Sequence, residues 1–493
     1  MLEDGEHPAC RASEPAVRGG ARRRWFAAAL TLTALGCGPS KSAGGGSASG
    51  EGSSGSTTEG MTAVTGATLG QDAAGSSSSA DSGSSTGPAA HCPDNVANEP
   101  LCYRKLAIEW DRALQDGGFD IVWNGPPSAR VGNFGPSGEE AFLLAHKDAG
   151  TPMSLAFWNG AGFDVEPWGV VPVLDDVLGR IPLRLFDGVH SDLVVGAGVV
   201  RPVLAVAPWT PDGPGEPVVV EPELPGGIAS LFFDQPVLDV DGDGREESAV
   251  YISGPQGPIS QYQLFGNVDG VPAFFGPPIS QLGACGVNVI GIAPGQLDDD
   301  GLTDLAEIGS CEVRDVDGAF SFVAQWGDGT GVFEPVAVPF TATSSTGWLS
   351  VADFDGDGLD DVVIALDEGL QKGYEAYVEV HRSRGDRTFD PPVEVWNDQD
   401  PPTRYSPGGI GVPSNAAFIL GDVDGDGAAD LIFRYLMVAV VQVLGERQPL
   451  EMFDIGWAPN ETEVISAFDF NHDGRSDFVV QDLDEGVYAL ISS

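Results

Sequence analysis

The feature that most constrains this chain is Asp353-Phe-Asp-Gly-Asp-Gly-Leu-Asp-Asp361, a nine-residue acidic stretch with four related copies. The copies start at Asp239 (DVDGDGREE), Gln296 (QLDDDGLTD), Asp422 (DVDGDGAAD) and Asp469 (DFNHDGRSD). Carboxylates at positions 1, 3, 5 and 9 crowd one short loop. Two such charges about 5 Å apart, at an intermediate effective dielectric, repel by roughly 1–2 kcal/mol, so the loop calls for a cation. Oxygen ligands at this spacing, with glycine at position 6 for a sharp turn, match the first part of a calcium loop. An EF-hand would need a bidentate Glu at position 12 and flanking helices. In the Asp239, Asp353, Asp422 and Asp469 copies position 12 is instead Val250, Ile364, Phe433 or Val480, inside apolar β-branched runs such as Val362-Val-Ile364 and Phe478-Val-Val480. Strand-like runs also precede the loops, for example Trp348-Leu-Ser-Val-Ala352, so each loop is expected to join two strands of a hairpin. Such hairpin loops are long compared with the usual two to five residues, and a bound ion would explain their order. The alternative is an acidic turn without an ion.

Charge excludes some functions. The 493 residues carry 24 basic and 73 acidic side chains, a formal net charge of −49, which argues against nucleic-acid binding and against electrostatic docking on anionic lipid. With 68 Gly and 37 Pro, many turns and few long helices are expected. No run of 18 apolar residues is present, so no spanning helix is expected.

Four regions follow in order: 1–37, 38–90, 91–117 and 118–493. Residues 1–21 have no usable pattern. Arg22-Arg-Arg24 and the apolar run from Trp25 to Leu35 have the form of a secretory signal. The run ends Ala34-Leu-Gly-Cys37, which resembles the lipobox of bacterial lipoproteins; that resemblance implies lipidation of Cys37, the other reading being an ordinary cleaved signal. Residues 38–90 are rich in Gly, Ser, Ala and Thr and read as a flexible tether of about 40 Å. An anchor, a tether and a globular body together suggest an exported lipoprotein at the outer membrane or cell surface, attached to the membrane only by lipid, or otherwise an extracellular protein. Cys92 and Cys102 lie close together at the domain edge and form one candidate pair. Cys285 and Cys311 flank the Gln296 loop and would face one another across its hairpin. A disulfide there would contribute roughly 3.5 kcal/mol on the chain-entropy model; the alternative is two buried thiols.

The period points to the fold. Loop starts are spaced 57, 57, 69 and 47 residues apart. Two worn copies lie upstream, at Asn133-Phe-Gly-Pro-Ser-Gly-Glu-Glu140 and at Phe186-Asp-Gly-Val-His-Ser-Asp192. Seven units, each long enough for four short strands, predict an all-β, seven-bladed β-propeller of four-stranded blades. The chain end leaves room for only two strands after Asp477. The segment Gly118-Phe-Asp-Ile-Val-Trp123 is therefore expected to supply the missing strand and close the ring.

These acidic loops, each followed by an apolar strand, resemble FG-GAP repeats, also known as VCBS repeats, the blades of the integrin α-subunit propeller and of many bacterial secreted proteins. The resemblance covers about 118–493, with Asp192-Leu-Val-Val-Gly-Ala-Gly198 closest to the family's strand ending. It implies about five structural calcium sites. By position, the implied ligands are Asp239, Asp241, Asp243 and Glu247; Asp298, Asp300 and Asp304; Asp353, Asp355, Asp357 and Asp361; Asp422, Asp424, Asp426 and Asp430; and Asp469, Asn471, Asp473 and Asp477.

Little in the sequence points to catalysis. His190-Ser191-Asp192 is a tempting cluster, but adjacent residues on a strand point to opposite faces. The aspartate clusters could be mistaken for the paired carboxylates of a glycosidase, yet they repeat in unit after unit whereas an active site is usually single. The expectation is a monomeric, non-catalytic propeller that recognises a protein or carbohydrate ligand through one loop face. The alternative is a polysaccharide-acting hydrolase or lyase with structural calcium.

Overall fold

The computed structural model describes 92–493 apart from 93, 98–100, 110–129, 146–152, 172–176, 198–202, 222–229, 233–236, 254–259, 280–287, 312–318, 341–345, 368–375, 398–417, 434–437, 444–445, 452–461 and 483–485. Cys37, Cys285 and the tether at 38–90 thus lie outside the described residues. No helix among the described residues is long and apolar enough to cross a membrane.

The chain forms consecutive antiparallel sheets, each an up-and-down meander. In the unit at 346–397, Thr346–Ala352 pairs with Asp361–Asp367, that strand with Ala376–His381, and the last with Val393–Asn397. Because Asp361 is already the first residue of the second strand, opposite Ala352, the connection itself is the acidic loop. The second strand shows why its sequence is continuously apolar rather than alternating. Val362, Ile364 and Leu366 pack toward the preceding unit, while Val363 packs toward the following one. Phe478 and Val480 likewise face one neighbour and Val479 the other. Both faces of each such strand are buried, so alternation is lost. Outer strands keep it: Phe333–Val338 and Phe163–Gly169 alternate between partly buried and exposed residues.

Six sheets, at 130–169, 177–220, 288–338, 346–397, 418–451 and the terminal one, have four strands. The expectation of seven four-stranded blades is corrected here: among the described residues there are six four-stranded blades. The unit at 230–279 is five-stranded, because Ser230–Phe232 and Val237–Leu238 both pair with Glu247–Ser253. Pro236 precedes the second of these segments, and proline has no N–H to donate to a ladder. A two-stranded ribbon, Trp209–Thr210 with Gly213–Pro214, links two strands of the 177–220 sheet and meets Trp168 and Gly169 of the sheet before it.

Closure also differs from expectation. The strand that completes the terminal sheet is Tyr103–Ala107, paired with Gly486–Ser492 from Tyr103 opposite Ser492 to Ala107 opposite Tyr488. Residues 118–123, expected in that place, lie outside the described residues, and the propeller body begins before residue 118. Tyr103 explains the register. It is fully buried among Val423, Phe478 and Leu490, and its hydroxyl donates to the Ser476 carbonyl at 2.9 Å. The Cys92–Cys102 disulfide and the Asn95 side chain, which accepts from the Tyr103 N–H at 2.9 Å, fold the lead-in onto this strand. The terminal sheet then packs on the first one through Ile108, Phe142, Leu144, Phe470 and Val479, so the sheets close on themselves.

Candidate metal centre

Four of the five acidic loops are first backbone-capping devices. The position-1 carboxylate of Asp353 accepts the N–H groups of Gly356 (2.7 Å) and Asp357 (3.1 Å) on one oxygen and of Gly358 (2.9 Å) on the other. Asp239 and Asp422 repeat the pattern at the matching residues, and Asp469 accepts from Asp473 and Gly474. The turn requires a left-handed residue at position 6, where Gly358 has φ 91° and Gly427 φ 90°. Position 4 is left-handed as well in four loops: Gly242, Gly356, Gly425 and, at φ 57°, His472.

The position-9 acid is buried and ties three chain segments together. Asp304, Asp361, Asp430 and Asp477 are all 3 % exposed or less. Asp477 accepts Phe470 N–H from its own loop at 2.8 Å and Ser492 N–H from the end of the third strand at 2.6 Å. Asp304 does the same with Leu297 and Gly327, and Asp361 accepts Ser383 N–H at 2.8 Å. Burial first, then the neighbouring carboxylates, pushes Asp361 up to about 7 and Glu247 up to about 7. Burial raises Asp304 and Asp477 to about 6 despite their backbone donors. These groups resist ionisation where no cation faces them.

In three of the five expected ligand sets, three of the four members are brought together: Asp239, Asp241 and Asp243; Asp353, Asp355 and Asp357; and Asp422, Asp424 and Asp426 each have ligand oxygens within 4.8 Å of one another, and the expected fourth members Glu247, Asp361 and Asp430 are not in these groups. The 353 loop fits a hard cation best. Asp355 Oδ1 and Asp361 Oδ2 are buried without a well-formed hydrogen bond, and among the described residues Arg382 Nη1, 3.2 Å from Asp355 Oδ2, supplies the positive charge. An all-oxygen donor set with unsatisfied buried carboxylate oxygens suits calcium. In the 469 loop, Asn471 replaces a carboxylate and donates from Nδ2 to Asp473 Oδ2 (3.1 Å) and Ser492 O (2.8 Å). In the 296 loop, Asp298 and Asp300 instead pair with Arg387, at 2.8 Å and 3.2 Å.

The worn loops have abandoned the acidic pattern but kept its frame. Asp192 stands at position 9 of the second, buried, accepting the N–H groups of Leu185, Phe186 and Trp209. His190 pairs with Asp187 at 2.6 Å and stacks on Trp209 with ring centroids 3.9 Å apart. Ser191 Oγ accepts the Asn133 N–H. The His-Ser-Asp cluster is therefore occupied by structural contacts, with the histidine facing Asp187 rather than Ser191.

Sequence reading missed a row of staples between loops. The position-8 N–H of one loop donates to the position-1 carbonyl of the loop before it: Ser191 to Asn133, Glu246 to Arg184, Asp360 to Gln296, Ala429 to Asp353 and Ser476 to Asp422. Thr303 makes the link to Asp239 with its hydroxyl. Where position 8 is acidic the link is doubled, since Glu246 also accepts Arg184 N–H and Asp360 accepts Gln296 N–H. The only sequence signal was an unexplained acid at position 8. The staples place all these loops at one end of the sheets.

Residues 353–433 match the model of the FG-GAP-like repeat. None of the curated proteins matches the chain. Among solved structures, AofleA from Arthrobotrys oligospora is similar at 12 % identity and a TM-score of 0.36, over 68 % of this chain and 89 % of that one. A variant of it with three arginines changed to alanine gives 11 % identity and the same TM-score, over 68 % and 90 %. Those likenesses are too weak to carry function. The match over 353–433 lies in meandering four-stranded sheets that close on themselves, a β-propeller arrangement that carries FG-GAP-like repeats.

Proposed function

We propose that this protein is a non-catalytic recognition propeller whose acidic loops hold structural calcium. The observation that carries the reading is the 353 loop: three clustered aspartates, a buried fourth acid at about 7, and two buried carboxylate oxygens lacking good donors. Asp353, Asp355, Asp357 and Asp361 would hold the ion, with the equivalent residues in the 239 and 422 loops. A bound ion would neutralise the loop and stiffen the hairpin; no chemical step is assigned to it. Repetition of one loop type around the sheets supports a scaffold over an active site. The secretory and lipobox-like start supports display outside the cell on a lipid anchor at Cys37, in millimolar calcium where weak sites fill. A protein or glycan ligand would then meet a loop face.

The test is a glycan array and a protein-capture panel, run with hydrolase and lyase assays on one calcium-loaded preparation. Saturable binding without turnover agrees with the proposal. Turnover that is abolished by changing a single residue outside the acidic loops contradicts it.

A further inference from the structure

The 296 loop departs from its siblings in a way the nine-residue pattern hides. Position 1 is Gln296, so no carboxylate caps the turn there. Position 4 is Asp299, which is not among the left-handed residues, although position 4 is left-handed in the other four acidic loops. Asp304 has a well-formed backbone donor on each oxygen, from Gly327 and Leu297. The carboxylates of Asp298 and Asp300 face a cation that belongs to the protein. Arg387 Nε lies 2.8 Å from Asp298 Oδ2, and Nη2 lies 3.2 Å from Asp300 Oδ2.

Arg387 comes from the next sheet, from the turn that links Ala376–His381 to Val393–Asn397. That turn is shaped for the reach. Gly385 forms a β-bridge with Asp298, and a Cβ there would meet Leu359 at 3.0 Å. Arg387 itself has φ 65°, a conformation side chains adopt only when the surroundings hold it. Its guanidinium also lies 5.7 Å from the Trp326 ring, on the sheet that owns the loop. Charge, backbone conformation and packing all direct this arginine to the two aspartates.

We propose that Arg387 is the resident counter-ion of the 296 loop, standing where the sibling loops hold a divalent ion, so that this loop takes none. Asp298 and Asp300 thereby keep a positive charge between them at every calcium concentration, in a clamp between two sheets. The inference rests on the calcium reading for the sibling loops, but its test separates the two.

Asp300 and Asp357 hold the same position in their loops, and each accepts one backbone N–H through Oδ1 that asparagine could keep. Asp300→Asn and Asp357→Asn therefore form a matched pair, read by bound calcium per chain after equilibrium dialysis and by melting in chelator. Asp357→Asn is expected to lower the calcium count by one and not to lower the chelator melting temperature. Asp300→Asn is expected to leave the count unchanged and to lower that temperature, as is Arg387→Gln, with Arg387→Lys recovering part of the loss. A count lowered by one in Asp300→Asn overturns the proposal, and so does an Asp300→Asn protein that melts in chelator like the parent. A parent that binds no calcium, with the Asp300→Asn and Arg387→Gln losses intact, overturns the calcium reading and leaves the arginine clamp standing.

Discussion

The loops at 353–361 and 296–304 share one outline and solve its charge in different ways. Both have a left-handed glycine at position 6 and a buried acid at position 9 that reaches the third strand. One caps its turn with Asp353, leaves Asp355 Oδ1 and Asp361 Oδ2 without a well-formed hydrogen bond, and meets Arg382 of its own sheet through Asp355. The other replaces the cap with glutamine and receives an arginine from the neighbouring sheet. The difference teaches that glycine 6 and acid 9 carry the fold of the hairpin. Of the acids at positions 3 and 5, Asp298, Asp300 and Asp357 each accept a backbone N–H of the turn. The acids at both positions add a demand for positive charge, which an ion or a side chain can meet.

The largest effect should come from what the two loops share. Asp361→Ala and Asp304→Ala each strip acceptors from buried N–H groups, at Ser383 in the first and at Gly327 and Leu297 in the second. Each should cost about 3 kcal/mol in urea unfolding. Only Asp361→Ala should also reduce calcium binding; a loss of calcium in Asp304→Ala would break the distinction between the loops. The Cys92–Cys102 bridge provides a reference outside both. Its ten-residue separation predicts a loss of about 2–3 kcal/mol for Cys102→Ser, equal in calcium and in chelator.

Next comes a pH effect in the sheet that owns the arginine-held loop. Glu307 is buried, and burial pushes it up to about 7 although Gln325 donates to it. Its folded pKa lies above its unfolded value, so the folded state holds the extra proton. Stability is then full below about pH 4.5 and falls as pH rises through 7. Glu307→Gln should therefore be more stable than the parent at pH 8, by about 2 kcal/mol, and should lose that advantage near pH 4.5. Urea midpoints at the two pH values check this; an advantage that grows toward acid would contradict the burial of Glu307. The smallest effect is at position 4, where the 469 loop places His472 in a conformation better suited to glycine. His472→Gly should raise stability by about 0.5–1 kcal/mol, a gain with no counterpart at Asp299.

Much of this was legible in the chain. The loop copies, the hairpins around them and the meandering sheets follow from local spacing and from apolar runs buried on both faces, as in Val362-Val-Ile364. Three things were not. The closing strand Tyr103–Ala107 carries Arg104 and Lys105, as an outer strand may, and so lacked the apolar signature sought at Gly118–Trp123. The counter-ion Arg387 lies about ninety residues beyond Asp298, and no local pattern announces it. The staples at position 8 are mostly backbone bonds, which side-chain identity does not encode.

The central claim is that the intact acidic loops are completed by calcium. Thermal unfolding of the parent in excess chelator and again in millimolar calcium tests it most directly. Each filled site should add about 1.4 kcal/mol at ten times its dissociation constant, so the melting temperature should rise steadily with calcium and the rise should shrink in Asp353→Ala. Identical melting in chelator and calcium would contradict the account.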